Sequence, residues 1–401
     1  MPSKLVFIPI VALVLTACYD GGAPLGGAED SDGSSTTGST TTLPPAQTSS
    51  SGGSPADTTA STTDEPELDS SGSSTGEPPA EPEPGVHWVG RYDDTEPGAM
   101  RMGWSGAGFV VRFDGTGVSV DMDDSAYHYT VVLDGVVQPR FDTTPGRQVF
   151  ALVADLPPGE HTVEVYRRTE GNFGPTTVYD VVPDGELLAP PPVTRRMEVV
   201  GDSISAGYGN EGEYPCTFSS QTENHYLTYG AVAARAVEAE VHTVAWSGKG
   251  VIYNYGDGVD EPLPEIYDRI VATEGASWSF GWQPDVVVIN LGTNDFSTDN
   301  DPSQELFTSS YVAFLEHLRS VYPNAFLLAV APSLFGAEVP VVEGYMLDVV
   351  AQRQAAGDAN VAYADINVEW NGMGCDWHPN VVTHAGMADR LVQELQVHLG
   401  W

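Results

Sequence analysis

Apolar and polar residues follow three different patterns along this chain. Between Trp88 and about Pro192, short runs alternate with a period of two: Phe109-Val110-Val111-Arg112-Phe113, Val118-Ser119-Val120-Asp121-Met122, Tyr129 to Leu133, Val149 to Val153 and His161 to Tyr166. That period sends successive side chains to opposite faces, so each run predicts a strand. Asp114-Gly115 and Asp134-Gly135 stand where turns are expected, the second directly before Val136 as in a hairpin. Many short strands without helices between them predict a β-sandwich of jelly-roll type over residues 88–192, closed by Pro190-Pro191-Pro192.

From Arg195 the pattern changes. Met197 to Val200, Val241 to Ala245, Val286 to Asn290, Phe326 to Ala331 and Val361 to Ile366 are short apolar runs, as in parallel strands buried on both faces. Amphipathic stretches lie between and after them: Tyr226 to Val237, Gln304 to Val321, Gly344 to Ala356 and Gly386 to Leu399. Residues 193–401 therefore predict an α/β domain with a parallel sheet, whose ligands would bind at the carboxyl ends of the strands.

The first 87 residues show neither pattern. Lys4, the apolar run Leu5 to Leu15, and Leu15-Thr16-Ala17-Cys18 read as a bacterial lipoprotein signal over residues 1–18, with Cys18 as the lipidated residue; a plain secretory signal is the alternative. The apolar run is too short to span a bilayer, and either reading sends the protein out of the cytoplasm. Residues 19–87 hold Ser/Thr/Gly runs and Glu-Pro repeats, no Lys or Arg, and few large apolar residues. Such a segment cannot bury enough surface to offset its ordering entropy, and predicts a disordered tether. The expected location is the cell envelope, outer membrane or cell surface, held by the N-terminal lipid.

Charge narrows the partners. The 401 residues include 56 Asp and Glu against 16 Lys and Arg, a formal net charge of −40, which repels a phosphate backbone and excludes nucleic acid. Most of this acidity lies beyond the tether, so a self-repelling monomer is expected. Three cysteines cannot build a dense disulfide scaffold or a four-cysteine zinc site.

The chemistry is concentrated after the strands. The first apolar run of the α/β region ends in Gly201-Asp202-Ser203-Ile204-Ser205, the second leads into Trp246-Ser247-Gly248-Lys249-Gly250, and the third ends in Asn290-Leu291-Gly292-Thr293-Asn294-Asp295. Cys375-Asp376-Trp377-His378-Pro379 comes near the C-terminus, and no G-x-S-x-G elbow occurs. These four segments resemble the blocks of the SGNH (GDSL) hydrolase superfamily, which implies a flavodoxin-like parallel sheet. Gly207-Tyr208-Gly209-Asn210, Cys216-Thr217-Phe218, Thr222-Glu223-Asn224 and Arg167-Arg168-Thr169-Glu170 narrow the resemblance to carbohydrate esterase family 2. That resemblance implies a jelly-roll joined to a hydrolase domain, and an acetyl xylan esterase-like removal of acetyl groups from polysaccharides such as xylan and glucomannan. Esters of cell-wall glycan, other small acyl esters, and non-catalytic glycan binding are the competing readings.

Physical chemistry assigns roles to the same residues. A serine hydroxyl needs a base, so Ser203 is the expected nucleophile and His378 its base. Ser205 is the competing serine, expected to serve as a helix cap. Asp376 could fix the imidazole tautomer; in the resembling family a backbone carbonyl sometimes does so instead. The amides of Ser203 and Gly248 and the side chain of Asn294 could form an oxyanion hole. This route requires no metal or other cofactor. Trp377, Trp246 and Tyr208 could stack on sugar rings or pack around the site. Cys216 and Cys375, in an oxidising compartment, would form a disulfide linking two active-site loops, two buried thiols being the alternative.

Overall fold

The computed structural model of the protein describes residues 83–334 and 336–401; the expected signal and lipidated Cys18, and all but the end of the tether, lie outside these residues. Val86 and His87, which the sequence pattern puts at the end of the tether, belong to the first strand, opposite Val111 and Val110.

The N-terminal strands form two antiparallel sheets. One contains Val86–Val89, Gly108–Gly115, Gly159–Arg167, His128–Leu133 and Val136–Val137, with Glu186–Leu188 and Phe141–Asp142 at its margins. The other runs Tyr92–Asp93, Met100–Met102, Thr176–Pro183, Val118–Asp124, Gly146–Val153. Alternation decides what lies between them: Phe109, Val111 and Phe113 of one sheet and Val118, Val120 and Met122 of the other share one buried cluster. The hairpin at Asp134-Gly135 forms as expected, with Leu133 opposite Val136 and φ of 49° and 77° at the two turn residues. The strand Thr176–Pro183 escapes the sequence pattern because its register shifts between Val178 and Asp180, which breaks the period of two.

The second half is a five-stranded parallel sheet. Its strands are β1 (Arg196–Gly201), β2 (Glu240–Ala245), β3 (Val286–Asn290), β4 (Phe326–Val330) and β5 (Val361–Ala364), in the order β2-β1-β3-β4-β5. Because β3 is buried on both faces it reads as a continuous apolar run. Val286 and Val288 pack with Tyr229 and Ala233 of the helix Tyr229–Ala236 and with Met387 and Leu391 of Val381–Leu399. Val287 and Ile289 meet Phe307, Tyr311 and Leu315 of Gln304–Val321 and Met346 of Val339–Ala355.

Two helices start earlier than the amphipathic pattern indicates, at Val339 and Val381. Their first turns expose Val339, Val341 and Val382, so no apolar stripe marks them. Pro340 near one N-terminus and Asn380 at the other supply the start signals; the Asn380 side chain accepts from the Thr383 amide at 3.0 Å.

The two sheet systems are joined by buried polar contacts. Arg91 is 1% exposed and donates to Glu198 of β1 at 3.0 Å, while Tyr267 and Tyr322 donate to the same carboxylate at 2.5 and 3.1 Å. Trp104 donates its indole N–H to the Arg269 carbonyl and packs in the hydrolase core. A side chain at Gly106 would collide with the His225 ring, so the domains approach to backbone contact there. This fixes the loops of one domain against the strand ends of the other.

Candidate active site

Ser203 is the first residue of a one-turn helix, Ser203–Ala206, that follows β1 directly. Asp202, not Ser203, caps that helix: its carboxylate accepts from the Ile204 amide at 3.0 Å. The Ser203 hydroxyl is thereby left free of capping and lies 2.8 Å from Nε2 of His378. Ser205 corrects the expectation of a cap, because its hydroxyl is buried in a 2.8 Å hydrogen bond with Tyr229.

The imidazole is oriented from the main chain. Nδ1 of His378 lies 3.0 Å from the backbone carbonyl oxygen of Asp376. A carbonyl can only accept, so Nδ1 carries the proton and Nε2 is left as the acceptor for the serine hydroxyl. Of the two orienting groups left open by the sequence, the backbone carbonyl is the one on the ring; the Asp376 carboxylate is turned elsewhere, its Oδ2 accepting from the Phe218 amide at 2.8 Å and from the Tyr208 hydroxyl at 3.0 Å. Asp376 and Trp377 both have left-handed backbones, φ 47° and 67°, and this turn brings the Asp376 carbonyl back onto the ring of His378. Two consecutive non-glycine residues in that region store strain, which the Cys216–Cys375 disulfide and the bonds of Asp376 hold in place. Burial pushes the His378 imidazole below its usual 6.5, and the Asp376 carbonyl offsets part of that.

Tyr208 takes the second of the two roles open to it, packing around the site. Its ring is stacked on Phe218 at 4.0 Å and tilted against His378 at 4.3 Å, so it supports the imidazole and is not an open sugar platform. Trp246 is half-buried against the hydrolase core. Trp377 alone of the three expected aromatics is broadly open, 63% exposed, and its ring lies 4.5 Å from that of Tyr214, an exposed neighbour that carries no motif in the sequence.

Asn294 links the segments that carry the other two expected oxyanion donors. Asn294 Nδ2 donates to the Lys249 carbonyl at 2.9 Å and to Oδ2 of Asp202 at 3.3 Å, and so connects the residue after Gly248 with the residue before Ser203. Gly248 has φ 78°, and the turn around it is closed by the Lys249 amide on the Trp246 carbonyl. Asp295 accepts from the amides of Val251, Ile252 and Tyr253 at 2.7–3.0 Å and secures the far end of this loop. Burial raises Asp202 to about 7. Among the described residues no group of His, Cys, Asp and Glu is arranged to hold a metal ion.

Two buried carboxylates near the site were given no role by the sequence. Glu170, just beyond the strand Gly159–Arg167 of the antiparallel domain, accepts from the Ser247 amide at 2.5 Å, and Glu223 is also fully buried. Both stand in segments that carry the family resemblance, Arg167-Arg168-Thr169-Glu170 and Thr222-Glu223-Asn224, without a role attached to either.

Comparison with known proteins adds to this geometry. Residues 88–192 match the family model described as carbohydrate esterase 2 N-terminal, and residues 199–393 match the GDSL-like lipase/acylhydrolase family. The cellulase/esterase CelE of Acetivibrio thermocellus is 35% identical over 334 residues, which is 80% of this chain; the chain spans 40% of that relative's length. An acetylxylan esterase / glucomannan deacetylase of Cellvibrio japonicus is 28% identical over 76% of this chain and 88% of its own. Among solved structures, a family two carbohydrate esterase from Clostridium thermocellum in complex with cellohexaose superposes with a TM-score of 0.76 at 34% identity, covering 79% of this chain and all of that one. A family two carbohydrate esterase from Cellvibrio japonicus gives 0.73 at 25% identity, over 80% of this chain and 96% of that one.

Proposed function

The chain belongs to carbohydrate esterase family 2, and from that premise we propose that it is an exported serine esterase removing O-acetyl groups from a polysaccharide of the xylan or glucomannan class. The single observation that carries this reading is the 2.8 Å contact between Ser203 Oγ and an imidazole whose other nitrogen is committed to a backbone carbonyl.

The reaction follows from the site. Ser203 Oγ attacks the acetyl carbonyl as Nε2 of His378 takes its proton, and the oxyanion is met by the amides of Ser203 and Gly248 and the Asn294 side chain. Collapse breaks the ester C–O bond, and the sugar oxygen leaves with the proton from His378. Water, deprotonated by the same imidazole, then cleaves the acetyl-enzyme and releases acetate. Trp377 and Tyr214 offer a platform on which a sugar ring would stack. The acidic body favours a neutral glycan over an anionic one.

Export and membrane attachment rest on the sequence signal at Cys18. Metabolic labelling with a fatty acid, compared between wild type and Cys18→Ala, tests it; equal labelling rejects the anchor. For the reaction, acetate release is measured from acetylated xylan, acetylated glucomannan, cell-wall glycan and p-nitrophenyl acetate, with Ser203→Ala as blank. Equal release by the variant rejects the catalytic assignment, and release from cell-wall glycan alone moves the substrate class.

A further inference from the structure

Glu170 and Glu223 are both fully buried, and three of their four carboxyl oxygens, Glu170 Oε1 and both oxygens of Glu223, make no hydrogen bond of good geometry among the described residues. Unpartnered buried carboxyl oxygens are costly, and here they lie beside a catalytic loop. The fourth oxygen, Oε2 of Glu170, accepts from the Ser247 amide, at the first central residue of the turn that presents Gly248. Ser247 belongs to the hydrolase domain and Glu170 to the antiparallel domain.

Charge balance constrains the pair. The fully buried guanidinium of Arg167 donates to the carbonyls of Thr169 and Glu170 and to threonine hydroxyls, and lies over the ring of Tyr127, all of them neutral partners. Arg168 is matched by Glu211. Arg167 also faces the buried Asp124 through Thr176 and Tyr129, so two full negative charges on Glu170 and Glu223 would have no ion-paired cation of their own. Burial pushes Glu170 up to about 7, and burial together with the Glu170 charge pushes Glu223 well above the usual carboxylate range. A full negative charge beside the oxyanion turn would oppose the charge developing on the substrate, whereas a protonated carboxyl still accepts from Ser247 without that opposition.

We propose that Glu170 is a positioning residue of the esterase site: reaching across the domain boundary, it accepts from the Ser247 amide and so fixes the Ser247–Gly248 peptide as an oxyanion donor. The antiparallel domain on this account completes the catalytic site. This inference rests on the esterase reading.

The test compares Glu170→Met, which fills the same volume without an acceptor, with Glu170→Gln, which keeps a neutral one. Steady-state hydrolysis of p-nitrophenyl acetate is measured for the full chain, with thermal melting as the folding control. Wild type against Ser203→Ala checks the esterase reading, independently of Glu170. Given that activity, the Met variant is expected to lose on the order of 10–100-fold in kcat with KM within about twofold, and Gln to restore most of it. A folded Met variant with wild-type kcat, or one whose loss lies in KM, overturns the proposal. Should the Met variant not fold, Gln decides alone: kcat within about threefold of wild type supports a neutral acceptor, and a folded Gln variant losing more than about tenfold overturns it.

Discussion

His378 takes its orientation from the backbone of Asp376 and not from its side chain: Nδ1 lies 3.0 Å from the Asp376 carbonyl, while the carboxylate is turned to Phe218 and Tyr208. Replacing an imidazole-orienting carboxylate by its amide costs about 10⁴ in kcat where the carboxylate is the partner. Asn at 376 tolerates the left-handed backbone and retains an acceptor oxygen, so Asp376→Asn is expected to keep kcat within about tenfold of wild type. A loss near 10⁴ in steady-state hydrolysis would return the carboxylate to the triad.

The pH profile follows from the same residue. His378 must be neutral to accept the serine proton, and burial lowers its pKa from 6.5. Activity is therefore full at neutral pH and is lost only as pH falls below 6.5 through that lowered value. The acid limb of kcat/KM, read across pH 4–8 as an order-of-magnitude window, is expected below 6.5; a midpoint above it contradicts the burial argument.

Asn294 Nδ2 engages the Lys249 carbonyl at 2.9 Å and, at a longer 3.3 Å, Asp202, so in the resting site it lies between the residue after Gly248 and the residue before Ser203, and an oxyanion would take over the weaker of these two contacts. Asn294→Ala is expected to raise the barrier by roughly 2.7–4 kcal/mol with little change in KM. A purely structural Asn294 would instead show a lowered melting temperature with kcat preserved.

Ser203, Gly248 and Asn294 were legible because each stands in a short block directly after an apolar run, where a parallel sheet gathers its loops. The strand Thr176–Pro183 was hidden by its bulge, and the N-terminal turn of Val339–Ala355 by its outward-facing valines. The partner of His378 was not decidable because Asp376 carries a carboxylate and a carbonyl at one position, and only the local φ of 47° selects between them. Glu170 stood in a segment that carries the resemblance, yet its role was unreadable for a different reason. Its contact with Ser247 spans 77 positions and two domains, and no periodicity or spacing encodes such a pairing.

The Cys216–Cys375 disulfide joins segments 159 residues apart, three residues before His378. Gly212 is packed so closely that a side chain there would meet both sulfurs, so this corner is tightly assembled around the bridge. Cys216→Ser with Cys375→Ser is expected to lower stability by about 2–5 kcal/mol. Because the Asp376-Trp377 turn loses its anchor, kcat should fall as well, even well below the melting temperature. Unchanged kcat in the folded double variant would separate the bridge from the chemistry.

Trp377 separates recognition of the polymer from the reaction itself. Its ring is open to solvent beside Tyr214, and one residue away the imidazole makes its contact with Ser203. Stacking of this kind contributes about 0.5–1.5 kcal/mol, a factor of roughly 2–10 in affinity. Trp377→Ala is therefore expected to raise KM for acetylated polysaccharide by that factor. For p-nitrophenyl acetate, which is too small to span the platform, little change is expected. Trp377 itself has φ 67°, so the substitution could loosen the turn, and alanine is less suited to that region than the glycine it also admits. Trp377→Gly supplies the control, since it removes the ring without strain at that φ. If both variants lose activity equally on the small and the polymeric ester, Trp377 serves the geometry of His378 and not the sugar; a loss confined to the polymer assigns it to the glycan.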